Sequence, residues 1–155
     1  MIDSKGYRDN VGIILSNPSG QVFWAKRRGH DPWQFPQGGI DENESPLEAM
    51  FRELEEETGL LKHHVEVTGQ TSDWLRYSIP QHLQRKRSKP LCVGQKQIWF
   101  PLKLIGEESD VDLHSGETPE FDRWRWVDYW APLDEIIFFK RGVYKQALSE
   151  LEKYF

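Results

Sequence analysis

Three glutamates in the first half of the chain, Glu53, Glu56 and Glu57, have the residue type and the spacing to bind a metal ion. At about 100° per residue of α-helix, their side chains lie within one sector of roughly 100°. Like charges at this spacing repel one another, so the arrangement costs stability unless a cation lies among them. Hard divalent ions such as Mg²⁺ prefer oxygen ligands of this kind and typically bridge them to substrate phosphates. The three acids therefore predict a magnesium site that acts on a phosphate group.

The helix that must present these acids is predicted over residues 46–58. Ser45 is a suitable N-cap, Pro46 takes the first helical position, and Glu48 is placed to complete a capping box. Gly59 is suited to end the helix. The apolar residues of the segment have the spacing of one buried helical stripe, and they are Leu47, Met50, Phe51 and Leu54.

An acidic helix face is by itself more often a solvated surface than a site. The spacing around this helix favours a site, because Gly38, then Glu44, then the segment Arg52–Leu60 resembles the Nudix box at every specified position. A chance match in a chain of this length has a probability on the order of 10⁻⁸ to 10⁻⁷ at ordinary residue frequencies. Over residues 38–60 the sequence is therefore similar to the Nudix hydrolases.

The resemblance implies an α/β Nudix fold, in which a mixed β-sheet is sandwiched between α-helices. It implies hydrolysis of a nucleoside diphosphate linked to a further group, with Mg²⁺ as the cofactor and Mn²⁺ or another divalent cation as a substitute. The residues that it assigns to the metal are Glu53, Glu56, Glu57, Glu120 and, through its backbone carbonyl, Gln37. Arg52 would orient a glutamate through an ion pair, a role that suits a bidentate guanidinium. Glu44, just before the N-cap, is expected to support the junction between loop and helix.

Metal catalysis supplies the expected mechanism. Bound ions polarise the phosphoryl oxygens, lower the pKa of a bound water and neutralise the leaving pyrophosphate. Water is then the nucleophile, and a glutamate takes its proton. Glu53 and Glu120 are both candidates for this base, and the sequence leaves the choice open. The predicted catalytic residues are Arg52, Glu53, Glu56 and Glu57.

Segments outside the box resemble the proteobacterial RNA pyrophosphohydrolases of the same family. The matching segments are 6–12, 33–40, 94–100, 119–122, 124–127 and 138–141. The resemblance implies removal of pyrophosphate from the 5′ end of triphosphorylated or diphosphorylated RNA. The product would be a 5′ monophosphate that promotes mRNA decay.

Five residues have side chains suited to the 5′ end of an RNA. Arg8 and Arg27 are suited to bind phosphates, and Phe139 can stack on a base while Lys140 contacts the base edge or a phosphate. Gln95 either reads a base edge or braces a loop, and the sequence favours neither. A lone arginine is more often surface and Phe139 more often core, so these roles depend on the family resemblance.

Two other functions fit the same sequence. An asymmetric diadenosine tetraphosphate hydrolase needs the same metal helix, and related sequences share the tyrosine–arginine–asparagine opening and the segment 33–40. A non-catalytic RNA-binding module would keep the fold without the chemistry. Loss of catalysis usually breaks the set of acids, and here Arg52, Glu53, Glu56 and Glu57 are all present.

Strands and a final helix are expected to position these residues. Strand-like runs lie at 11–15, 22–25, from 65 to 77, at 97–102 and at 124–127. The first two flank the turn-rich stretch Ser16–Gly20 and are predicted to form a hairpin. Residues 80–90 are predicted to be a loop, and Val143–Tyr154 has helical spacing.

Charges are segregated along the chain, whose net charge is −5. Acids concentrate in Asp41–Glu57 and Glu107–Glu120, and bases in Lys26–Arg28, Arg85–Lys89 and Lys140–Arg141. Acids that bind metal and bases that bind substrate, facing one another, would give this pattern. The basic loop Arg85–Lys89 is either solvated or contacts the RNA backbone.

A chain of 155 residues has the size of one domain, so a single domain over 1–155 is expected. Cys92 is the only cysteine, which excludes disulfides within the chain, and it is predicted to be a small buried residue. The sequence has no leader-like start and no apolar run long enough for a membrane span. A cytoplasmic protein with no membrane contact is therefore expected, and the family resemblance implies that its partner is the 5′ end of RNA. The oligomeric state is open, and a monomer is compatible with the sequence.

Overall fold

A mixed sheet of eight strands forms the centre of the computed structural model, which describes residues 1–84 and 91–155. The strands are β1 (Tyr7–Ser16), β2 (Val22–Arg27), β3 (Trp33–Gln34), β4 (Gln37–Gly39), β5 (Val65–Val67), β6 (Leu75–Ser78), β7 (Gly94–Leu104) and β8 (Phe121–Val127). The helices are α1 (Pro46–Thr58), α2 (Pro132–Glu135) and α3 (Arg141–Leu151). Short 3₁₀ turns add to these, among them Phe138–Lys140 just before α3.

The two longest strands, β1 and β7, pair in parallel along the middle of the sheet, from Tyr7 opposite Gly94 to Ser16 opposite Lys103. The other pairings are antiparallel: β4 and β2 join β1, β5 and β6 join β7, and β3 and β8 join β2. From Asn10 to Ser16 every residue of β1 is buried, as expected for a strand covered on both faces.

Helices cover the two faces of this sheet. On one face Met50 and Leu54 of α1 pack with Ile13 in one core cluster. On the other face Tyr144 and Leu148 of α3 belong to a second cluster. Because neighbouring residues of a strand point to opposite faces, Ile13 joins the first cluster and Ile14, in the same strand, the second. The predicted sandwich of a mixed sheet between helices is confirmed.

A buried polar chain links β1 to β7 near the middle of the sheet. The Trp99 indole N–H donates to Gln97 Oε1 at 3.1 Å, and Gln97 Nε2 donates to Asn10 Oδ1 at 2.9 Å. The Trp99 ring lies against Gly12, where a Cβ would overlap it. Buried polar groups need such partners, and the chain helps to fix the register of the two strands.

Most predicted elements are confirmed. The hairpin of β1 and β2, the strands around 97–102 and 124–127, and a helix over 143–151 are all present, followed by a 3₁₀ turn at Glu152–Tyr154. Helix α1 has the predicted bounds. The loop predicted over 80–90 contains a 3₁₀ turn at Gln81–Leu83, and its basic part, Arg85–Lys89, lies outside the described residues.

One part of the predicted apolar stripe is wrong. Leu47 is 44% exposed, because the core cluster reaches α1 only from Ala49 onward. The buried face of the helix is completed at its other end by Glu57 and Thr58. Within residues 1–84 and 91–155, none of the helices is both long enough and apolar enough to cross a membrane.

Candidate active site

The ends of α1 set the direction in which its acids point. Ser45 Oγ accepts a hydrogen bond from the N–H of Glu48 at 3.1 Å, and Glu48 Oε1 accepts one from the N–H of Ser45 at 3.2 Å. At the other end Gly59 has φ 77°, a left-handed value that favours glycine, and its N–H donates to the Glu55 carbonyl. The predicted capping box and glycine stop are both confirmed.

Glu53 points from α1 toward strand β4. Its carboxylate lies so close to the Cα of Gly38 that a Cβ at position 38 would overlap it. Gly38 is opposite Val11 in β1, so it is held by the sheet and cannot easily move away. A side chain at position 38 would therefore force Glu53 out of its place.

Arg52 connects the loop before α1 to the acids on the helix. Its Nε and Nη2 each lie 2.8 Å from a carboxylate oxygen of Glu44, which is a bidentate pair. Its Nη1 donates to Glu53 Oε1 at 2.8 Å, and its Nη2 also donates to the Gly39 carbonyl of β4 at 2.8 Å. The hydrogen bonds from Arg52 lower the pKa of Glu44 to about 2. Glu44 also accepts the N–H of Asp41, so it ties the loop to the helix as expected.

Glu57 is a buried acid whose hydrogen bonding is incomplete in the described part of the chain. It is 4% exposed, and its Oε2 has no hydrogen-bond partner among the described residues. Burial raises the pKa of Glu57 well above its usual value, and the charge of Glu53 and a hydrogen bond with Glu53 raise it further. Burial also raises the pKa of Glu53, although Arg52 opposes that shift. The pair fits a cation, because a divalent ion would neutralise both carboxylates and complete the bonding of Glu57.

The other two glutamates among the predicted metal ligands are more exposed. The Glu56 side chain is 54% exposed, and that of Glu120 is 47% exposed and lies 3.8 Å from Arg27 Nε. Within the described part of the chain, no three Asp, Glu, His or Cys side chains lie close enough together to ligate one ion. Glu53 instead pairs with Arg52, and Glu120 with Arg27.

Arg8, Arg27 and Gln95, three of the predicted substrate residues, line one cavity of about 380 Å³. Arg8 and Gln95 are opposite one another in β1 and β7, so the parallel pairing places both side chains there. Gln95 Oε1 is buried and has no hydrogen-bond partner in the described residues. Cys92 also lines the cavity and is only partly buried, so its predicted role as a simple buried residue is wrong. Among the described residues, Ile79, Leu83 and Gln84 also line the cavity.

Phe139 and Lys140 lie beside Tyr77, which was not among the predicted site residues. The rings of Phe139 and Tyr77 are 6.0 Å apart, and the Lys140 ammonium is 5.5 Å from the Tyr77 ring centre. Lys140 Nζ also donates to the Gln37 side-chain oxygen at 3.4 Å, while Gln37 Nε2 donates to the Tyr77 hydroxyl at 3.4 Å. Burial, and then the charge of Arg27, lower the pKa of Lys140 to about 8. The charges of Glu120 and Glu57 act in the opposite direction and raise the pKa of Lys140.

Comparison with known families agrees with this arrangement. Residues 6–147 match the family model described as the NUDIX domain. The chain belongs to the Nudix family. Nudix proteins generally use divalent metal ions, which is consistent with the paired carboxylates of α1.

Curated relatives of this Nudix protein cover nearly the whole chain. An RNA pyrophosphohydrolase of Thioalkalivibrio sulfidiphilus is 64% identical over 97% of the chain and 87% of the relative. An RNA pyrophosphohydrolase of Methylococcus capsulatus is 59% identical over 99% of the chain and 80% of the relative.

Solved structures share the Nudix fold at low sequence identity. A dihydroneopterin triphosphate pyrophosphohydrolase of E. coli has a TM-score of 0.72 and 21% identity, covering 93% of this chain and 98% of its own. An Ap4A hydrolase of C. elegans has a TM-score of 0.68 and 18% identity, covering 96% and 99%. At these identities the likeness shows the fold alone.

Proposed function

We propose that this Nudix hydrolase removes pyrophosphate from the 5′ end of triphosphorylated or diphosphorylated RNA and leaves a 5′ monophosphate. The observation that carries the proposal is that the cavity of Arg8, Arg27 and Gln95 adjoins the acids of the site, with Arg27 Nε 3.8 Å from Glu120. A 5′ phosphate chain bound by the arginines would extend toward Glu53 and Glu57. Relatives at 55–64% identity that are named RNA pyrophosphohydrolases support this substrate. The resulting monophosphate would promote mRNA decay.

The cofactor in this proposal is Mg²⁺, with Mn²⁺ or another divalent ion as a substitute. Its ligands would be Glu53, Glu56, Glu57, Glu120 and the Gln37 carbonyl. When bound, it would polarise the phosphate to be cleaved and lower the pKa of a bound water. The buried, incompletely bonded carboxylate of Glu57 beside Glu53 supports this site.

Arg52 has a positioning role in the same proposal. Its three-way contact with Glu44, Glu53 and the Gly39 carbonyl holds one carboxylate oxygen of Glu53 and so fixes the carboxylate that would bind metal or accept a proton. Glu120 is the second candidate for the base, because its carboxylate is half-exposed and makes a loose contact with Arg27. Either acid would take the proton of the attacking water.

The substrate residues act in two groups. Arg8, Arg27 and Lys140 would bind the 5′ phosphates, and Phe139 would stack on a base. Gln95 Oε1 has no partner among the described residues, which favours a base-reading role over a loop-bracing one, since a bracing amide would have its partners in the protein. Gln95 would accept a hydrogen bond from an N–H group of a base.

We further propose that residues 1–155 form one domain, because both core clusters share one sheet. We also propose that the enzyme acts in the cytoplasm, where its RNA substrate lies.

The test is product analysis with purified protein, Mg²⁺ and RNA carrying a labelled 5′ triphosphate. Release of pyrophosphate, at a higher turnover per enzyme than for diadenosine tetraphosphate assayed beside it, is the expected result. Faster cleavage of the dinucleotide would make the chain a dinucleoside polyphosphate hydrolase instead. The variant Glu53→Gln, which keeps the side-chain shape and removes the charge, should lose about 10²- to 10⁴-fold in kcat, the range for a lost general base. Glu55→Gln, an exposed acid on the same helix, is the matched control.

A further inference from the structure

Phe138 is the most exposed aromatic residue in the described part of the chain, with 70% of its surface open to solvent. Its neighbours are turned inward. Ile136 is 8% exposed, Lys140 is 9% exposed, and Ile137 and Phe139 pack against the second core cluster. An apolar ring that stays in water, within a segment that buries the residues around it, adds nothing to the core.

A row of contacts connects Phe138 to the candidate active site. Its ring lies 5.5 Å from that of Phe139 and almost perpendicular to it, at 89°. Phe139 in turn lies 6.0 Å from Tyr77, and Tyr77 accepts a hydrogen bond from Gln37. The series of aromatic rings therefore runs from Tyr77, beside the Gln37 side chain, outward to solvent, and Phe138 is its outer end.

The chemistry of this outer end suits single-stranded nucleic acid. Exposed aromatic rings stack on nucleobases of any sequence, and a nearby cation attracts the sugar–phosphate backbone. Phe138 supplies the ring, which its edge contact with Phe139 holds in place. Arg141, exposed at the start of α3, supplies a cation.

We propose that Phe138 is a stacking platform for a nucleobase of the RNA chain downstream of the 5′-terminal nucleotide. The inference rests on the proposed function, because it requires an RNA whose 5′ phosphates lie at the acids. It adds to that function a contact that only a longer substrate can make, so that a longer RNA is bound more tightly than a mononucleotide triphosphate.

The experiment compares a nucleoside triphosphate with triphosphorylated oligoribonucleotides of two, four and eight nucleotides as substrates for the wild-type protein and for Phe138→Ala. In the wild type, KM is expected to fall as the substrate lengthens. In Phe138→Ala, KM for the octamer should rise about 5- to 150-fold, as expected for one lost stacked base. KM for the nucleoside triphosphate and kcat for both substrates should stay unchanged. Phe138→Trp should restore the wild-type KM, since it keeps an aromatic face.

A matched control is Ile105→Ala, which removes an exposed apolar side chain, 61% exposed, beyond the other end of the β1–β7 pair. It should leave the KM for the octamer unchanged. A direct binding measurement, the fluorescence anisotropy of a labelled 5′-monophosphorylated octamer without metal, should show the same loss for Phe138→Ala and none for Ile105→Ala. If the wild type cleaves RNA and Phe138→Ala binds the octamer as the wild type does, the platform is refuted and the proposed function stands. If the wild type cleaves no RNA, the proposed function itself is refuted and the platform with it.

Discussion

The guanidinium of Arg52 and the carboxylate of Glu44 form two hydrogen bonds of 2.8 Å each, although eight residues separate them in sequence. The Glu44 side chain is 15% exposed and that of Arg52 is 28% exposed, so the pair is partly removed from water. Arg52 also holds Glu53 and the backbone of β4. The pair therefore anchors the loop and the sheet to the helix that carries the acids.

Removing this pair should cost stability in a way that depends on pH. Arg52→Ala is expected to lower the free energy of unfolding by about 1.5–3 kcal/mol at neutral pH, because charged hydrogen bonds are lost. In the folded chain the pKa of Glu44 is about 2, below its ordinary value of 4.5, so its contribution is complete above pH 4.5 and is lost as the pH falls toward 2. Urea unfolding of the wild type and of Glu44→Gln between pH 7 and pH 2 measures this. The two curves should converge at the acidic end, and a constant gap would contradict the assignment.

Glu57 is expected to bind metal and to lower the stability of the metal-free protein at neutral pH. The raised pKa of Glu57 means that its contribution is present below pH 4.5 and is lost as the pH rises through the value in the folded chain. At neutral pH without metal, Glu57→Gln should therefore be more stable than the wild type, by about 1–3 kcal/mol, since a neutral amide has neither a charge to bury nor a proton to take up on folding. Mg²⁺ should raise the melting temperature of the wild type and not that of the variant. A variant that Mg²⁺ still stabilises would remove Glu57 from the metal site.

Arg8 should affect substrate use without affecting metal binding. Arg8→Ala is expected to raise KM for triphosphorylated RNA about 10- to 150-fold, the loss expected for charged hydrogen bonds to phosphate. Its stabilisation by Mg²⁺ should equal that of the wild type, because Arg8 lies in the cavity and not among the acids. Lys103→Ala, an exposed cation at the far end of the same strand pair, is the control. An unchanged KM would make Arg8 a surface residue.

Local features of the site follow from the sequence, and long-range ones do not. Ser45, Glu48 and Gly59 set the bounds of α1 through contacts within a few residues, and these were predicted correctly. The place of Tyr77 in the site was not predicted, because its position beside Lys140 depends on how β6 pairs with β7 and on the turn before α3. The parallel pairing that brings Arg8 opposite Gln95 joins strands almost 90 residues apart, and no local pattern marks it. The exposure of Leu47 likewise depends on where the core ends, which the periodicity of a helix cannot indicate.

The loop before Glu120 is held against the C-terminal turn of α1. The N–H of Asp112 donates to the Thr58 carbonyl at 2.7 Å, and Ser115 Oγ donates to the Glu55 carbonyl at 3.0 Å. Gly116 lies so close to the helix that a Cβ there would be 2.9 Å from the Glu56 carbonyl oxygen. The loop therefore reaches Glu120 from a point fixed on the helix that carries the other acids.

Gly116→Ala should disturb this docking and move Glu120 relative to Glu57. We expect a loss of about 10- to 100-fold in Mg²⁺ affinity, the range seen when groups that support metal ligands are altered. Titration of the melting temperature with Mg²⁺ measures the affinity apart from activity, and the variant should reach the wild-type kcat at saturating Mg²⁺. Gly142→Ala is the matched control, because a Cβ at that helical position meets no atom within 4 Å. If Gly116→Ala binds Mg²⁺ as tightly as Gly142→Ala does, the docked loop has no part in placing Glu120.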